Sequence, residues 1–110
     1  MVFFVLFILT GKLGGTNKND FGTAVDITSY NSKTNLYTFP CDGYVELLSE
    51  YGSSNYGNLD LYGSKNTTPY HVHSNGNNIS SGIIMVFVKK GMRCCVGGNA
   101  VSSARFIPLI

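Results

Sequence analysis

His71 and His73, separated by a single valine, are the two residues of this chain best spaced for chemistry. On an extended strand, side chains two positions apart leave the same face about 7 Å from each other, a spacing that lets two imidazoles share one transition-metal ion. Such an ion needs a third and a fourth donor, and no Asp, Glu or Cys stands near the pair in sequence. Three copies of the pair gathered around a symmetry axis would be one way to complete the set. Within one chain, the residues read as paired surface histidines on the polar face of a strand, and no metal or other cofactor is expected.

Other routes to catalysis are poorly supplied. The chain carries none of the nucleophile-elbow, phosphate-loop, dinucleotide, zinc-protease or calcium-loop signatures. Glu46 and Glu50 fall on one strand face but about 13 Å apart, too far for a glycosidase pair. Three cysteines, Cys41, Cys94 and Cys95, cannot all pair within the chain, and no two have CxxC spacing. Adjacent Cys94 and Cys95 would point to opposite faces of a strand, so at most one shares a core with Cys41. A bridge from Cys41 to Cys94 is one option; buried, reduced thiols are the reading adopted. No catalytic residue is expected, and the chain reads as a binding or assembling protein without an active site.

Seven tyrosines offer flat, amphipathic faces of the kind that stack on sugars or fill protein interfaces. Tyr51 and Tyr56 bracket Gly52-Ser53-Ser54-Asn55, a mixture of Tyr, Ser, Gly and Asn typical of adaptable binding loops. The candidate contact residues are therefore Tyr51, Ser53, Ser54, Asn55 and Tyr56, with His71 and His73 on a nearby strand. Composition agrees. Charged residues make up only 13% of the chain, against about 25% in ordinary domains, and Asn, Ser, Thr, Tyr and Gly take their place. Such a surface suits another subunit or a hydroxyl-rich polymer. The net charge of +2 is scattered, with Lys89-Lys90 the longest basic run, so no phosphate-tracking stripe exists and nucleic acid is not an expected partner.

The elements that must carry these residues are strands. Short extended runs separated by Gly, Asn, Ser and Pro recur about every ten residues, the rhythm of a sandwich or barrel, and no run of ten carries a helical stripe. Strands are expected over 23–29, 35–39, 43–50, 58–62, 69–74, 83–88, 92–96 and 100–107. Residues 83–88 (IIMVFV) have no polar position and read as a central strand covered on both faces. The turn Pro40-Cys41-Asp42-Gly43 is expected to use positive φ at Gly43 and an Asp42 side chain bonded to its own backbone. At the start, residues 2–9 (VFFVLFIL) are far short of the roughly 20 residues of a membrane-spanning helix, so no membrane insertion is expected. Residues 1–13 read as an apolar first strand rather than a signal peptide, since no basic residue precedes the run and Lys12 follows it. With 110 residues, one domain spanning residues 1–110 is expected.

Three segments carry a resemblance: YTFPCDGYVELL at 37–48, VKKGMRCCV at 88–96, and the ending SARFIPLI at 103–110. A strand, a Pro-x-Asp-Gly turn, another strand, a late Lys-Gly turn and a closing Phe-Ile-Pro-Leu together resemble the C-terminal tip domains of bacteriophage tail-fibre and receptor-binding proteins. The resemblance covers roughly residues 37–110. It implies an antiparallel β-sandwich or jelly roll, similar to the C1q and tumour-necrosis-factor group, that forms a homotrimer at the tip of a virion's fibre and attaches to a host cell-surface glycan or protein. The alternative is a secreted C1q-like or tumour-necrosis-factor-like binding protein of cellular origin.

Overall fold

Apolar and polar residues alternate along 43–49 and 56–62, and in the computed structural model both runs are strands whose inward positions are buried and whose outward positions are mostly half-buried. The structure describes residues 12–13, 16–17, 20–50, 54–75 and 82–110. Of the first strand expected over residues 1–13, only 12–13 are described, and they are extended; residues 1–11 lie outside the described residues. In chain order the strands are β1 (Lys12–Leu13), β2 (Thr16–Asn17), β3 (Val25–Asp26), β4 (Tyr37–Thr38), β5 (Gly43–Ser49), β6 (Tyr56–Tyr62), β7 (Tyr70–Asn75), β8 (Gly82–Val88), β9 (Arg93–Gly98) and β10 (Val101–Pro108). No helix occurs among the described residues.

Every strand pairing among the described residues is antiparallel. One four-stranded sheet has the order β4-β9-β6-β7 and the other β3-β10-β5-β8, while β1 and β2 form a separate two-stranded ladder. The two larger sheets make a β-sandwich, the all-β architecture expected from the turn rhythm. From β3 to β10 the chain changes sheet at every step except β6 to β7, so most loops cross from one layer to the other and gather at the two ends.

Inward side chains from both sheets meet in one core. Val45, Leu47, Ile84, Ala104 and Phe106 from one layer face Leu59, Leu61, Cys94 and Val96 from the other, with Ile27 and Phe39 closing the sides. Phe39 and Phe106 pack with ring centroids 5.1 Å apart, and Tyr37 sits edge-on to Phe39 at 5.5 Å. Burial of each such side chain contributes roughly 1.5–3 kcal/mol, which is what holds the layers together.

Three expectations change. The strand expected over 23–29 is reduced to Val25–Asp26 because the Asp26 carboxylate accepts both the backbone N–H and the hydroxyl of Thr28, at 2.9 and 2.7 Å, turning the chain locally. Gly43 does not take positive φ; that conformation belongs to Gly91 and Gly98. Gly43 is glycine because a Cβ there would run into the carbonyl oxygen of Ile107 and lie 2.6 Å from the Phe106 ring. Asp42 accepts the N–H of Lys90 at 2.9 Å, tying the two turns at that end together. Finally, among the described residues β8 is the outer strand of its sheet rather than a central one. Ile84 and Val88 are buried, but Ile83, Met85 and Phe87 face outward and are exposed.

Candidate functional site

At the end of the sandwich where β5 stops and β9 turns into β10, an open groove of about 710 Å³ is lined by Thr28, Asn31, Glu50, Asn99 and the backbone of Gly97 and Gly98. The scaffold around it is tied by main-chain bonds. Glu50 N–H donates to Ala100 O at 2.7 Å, Ala100 N–H to Tyr56 O at 3.3 Å, and Val96 N–H to Tyr30 O at 2.8 Å. Thr28 is occupied internally, its hydroxyl lying 2.7 Å from Asp26 and 3.2 Å from the Ala104 N–H that donates to it. Asn31, Glu50 and Asn99 are exposed, so the groove presents amides, a carboxylate and peptide groups.

The β9–β10 turn is shaped by Gly98, at φ +114°. A Cβ there would lie 2.5 Å from the carbonyl oxygen of Tyr56 and 2.8 Å from Gly57 Cα; only glycine lets the turn approach β6 so closely. The next residue, Asn99, uses that proximity. Its Oδ1 accepts the N–H of Tyr56 at 2.9 Å, and its Nδ2 donates to the carbonyl of Ser54 at 3.0 Å. Ser54, Asn55 and Tyr56 from the expected contact loop are thus held against one wall of the groove, with Ser54 and Tyr56 exposed. Tyr51 and Ser53 lie outside the described residues.

His71 and His73 do share one face, as the spacing requires, with ring centroids 6.4 Å apart. They belong to the outer face of the β4-β9-β6-β7 sheet. Register sets His73 opposite Asn58 and His71 opposite Asp60, and Cys95 is the other neighbour of Asp60. Nδ1 of His71 donates to Oδ1 of Asp60 at 2.5 Å, and Asn58 Nδ2 donates to the same oxygen at 2.8 Å. Asn58 Oδ1 is buried without a partner among the described residues. Tyr56 is one step further along the same outward row of β6, opposite Asn75. Asp60 was invisible as a histidine partner in sequence because eleven residues and a strand reversal separate it from His71. Among the described residues, no three His, Cys, Asp or Glu side chains are arranged to hold a metal ion.

Farther along that face, the Arg93 guanidinium lies 5.6 Å from the centre of the Tyr62 ring. It donates to the carbonyls of Gly63 at 2.7 Å and Asn66 at 2.5 Å, holding the β6–β7 loop. The three cysteines are free thiols. Cys94 faces the core and Cys95 the opposite side, as adjacency demands. Burial pushes the Cys94 thiol up to about 12, with neighbouring Cys95 adding to the shift, and burial likewise raises Cys95. Both stay protonated at neutral pH, the opposite of an activated nucleophile.

Sequence reasoning singled out the loop and the histidines, weighed Glu50 only as a partner of Glu46, and did not single out Asn31 or Asn99. The available signal was positional: each polar residue stands at a strand end or turn, and in a sandwich such positions converge at one pole. No family model, curated protein or solved structure matches this chain.

Proposed function

We propose that the chain is a non-enzymatic attachment module, the tip domain of a virion tail fibre, which assembles as a homotrimer and uses its loop end to bind a host cell-surface glycan or protein. The observation that carries this reading is the groove beside Ser54–Tyr56, whose exposed Asn31, Glu50 and Asn99 present the side-chain donors and acceptors that hydroxyl-rich ligands require. The strand orders support a jelly roll as the finer architecture: one sheet pairs the first, eighth, third and sixth of the eight sandwich strands, and the other pairs the second, seventh, fourth and fifth. Jelly rolls serve widely as lectin and capsid domains, which accords with the resemblance in residues 37–110. The Cys94 and Cys95 thiols, kept protonated by burial, and the engagement of His71 by Asp60 favour a binding role over catalysis.

The test is binding of the fluorescently labelled full chain to an array of bacterial surface polysaccharides and to intact host cells. Saturable binding that weakens at least tenfold in Glu50→Ala and Asn31→Ala, with folding unchanged, is the expected result. Binding indifferent to both substitutions, or no binding to any array member or cell, overturns the assignment of the groove.

A further inference from the structure

The two outer faces of the sandwich differ in kind. That of β4-β9-β6-β7 carries Asn58, Asp60, His71, His73 and Arg93. That of β3-β10-β5-β8 carries a row of Ile107, Tyr44 and Phe87, a row of Asp26, Arg105, Glu46 and Met85, and a row of Ser103, Leu48 and Ile83. Tyr44 makes edge-to-face contacts with Phe87 at 5.5 Å and with Phe21 at 6.3 Å, extending the apolar surface. Ile83 is 64%, Met85 54% and Phe21 60% exposed. Edge strands that face water carry lysine, other charges or proline at outward positions; β8 carries none between Gly82 and Val88.

We infer that this face is where copies of the chain meet. The inference deepens the oligomeric part of the function proposed above by assigning it a surface. A second copy fits better than an unrelated partner because the face is complementary to itself in charge. At its centre, Arg105 Nε donates to Glu46 Oε1 at 2.7 Å, so opposite charges stand side by side within an apolar surround. Around a three-fold axis, one neighbouring copy sets its Glu46 near this Arg105 and the other sets its Arg105 near this Glu46. Area favours more than one contact per chain. Three strands about 4.8 Å apart and seven or eight residues long, with two-residue β3 at the edge, offer a footprint of roughly 370 Å², below the roughly 800 Å² per partner of a standard interface. A ring of three, in which each copy meets two neighbours, adds the second contact.

The experiment is light scattering on the full chain and on the double variant Ile83→Lys, Met85→Lys, both positions exposed and Met85 opposite Glu46, with circular dichroism to report folding. A wild-type mass near three times 11.9 kDa, falling to that of one chain in the variant with an unchanged spectrum, is the expected result. His73→Lys on the other face should leave the assembly intact. A wild-type monomer overturns both the interface and the trimer, whereas an oligomer that survives the double variant overturns this face alone. Hydroxyl-radical footprinting of the wild type gives a reading that does not depend on the variants' folding. Met85 and Phe87 should be protected in the oligomer, and labelling as heavy as that of exposed Tyr70 overturns the interface. Protection in a monomer overturns it too, and would assign the cover to the apolar segment 2–9. Loss of glycan binding by the groove variants leaves these outcomes untouched, so the two proposals fail separately.

Discussion

Asn99 holds Tyr56 in place from the far side of a turn: its Oδ1 accepts the Tyr56 N–H at 2.9 Å while its Nδ2 donates to Ser54 O at 3.0 Å. One side chain therefore satisfies two backbone groups of the contact loop and lines the groove as well. Asn99→Ala leaves both groups to solvent. A loss of about 1–2 kcal/mol is expected in urea denaturation, with faster hydrogen exchange at the Tyr56 amide and weaker groove binding.

Gly98 makes that approach possible, and its neighbour provides the control. Gly98→Ala places a methyl 2.5 Å from Tyr56 O on a backbone at φ +114°, so a cost of at least about 2 kcal/mol is expected. At Gly97 the nearest atom to an added Cβ is 3.8 Å away. Gly97→Ala should be neutral or stabilising by about 0.5 kcal/mol. The denaturation midpoints of the two variants should separate accordingly; equal midpoints would show that the tight approach to β6 is not what requires glycine.

Much of the layering was legible because it is local. Alternation along 43–48 and 58–62 announced two half-buried strands, and Gly91 after two lysines announced a turn. What could not be read depends on register between distant segments: Asp60 beside His71, Asn99 beside Tyr56, Glu46 beside Arg105. The misreading of residues 83–88 has a definite physical cause. A run with no polar position implies cover on both faces, but it does not say that the cover is a strand of the same sheet. β8 has its inward face on the core and its outward face free among the described residues of one chain.

The same contrast predicts how two phenylalanines respond to truncation. Phe106 is fully buried and packed 5.1 Å from Phe39, so Phe106→Ala should cost about 3–5 kcal/mol, a large share of the roughly 5–15 kcal/mol that stabilises a typical domain. Phe87 is 38% exposed. Phe87→Ala should change the stability of a dissociated chain by less than about 1 kcal/mol while weakening assembly. Denaturation below and above the dissociation concentration separates these effects, and a Phe106-sized loss from Phe87→Ala in the monomer would contradict the outward placement of its ring.

Stability should fall in alkali, and Cys94 should lead the decline. Its thiol titrates near 9 when exposed and near 12 in the fold, so between those values the folded chain holds a proton that the unfolded chain has released. The stabilisation is fully present below pH 9 and is lost as pH rises towards 12, at roughly 1.4 kcal/mol per pH unit. Cys95, also raised by burial, adds to the slope, and Tyr37, Tyr44 and Tyr62 join above pH 10 because burial raises them from that value. Urea midpoints measured from pH 8 to pH 10 should therefore fall, with the slope reduced in Cys94→Val, which keeps an apolar side chain in the core and removes the titrating group. A wild-type midpoint that stays flat over that interval would mean that the Cys94 thiol is not sealed from water between the sheets.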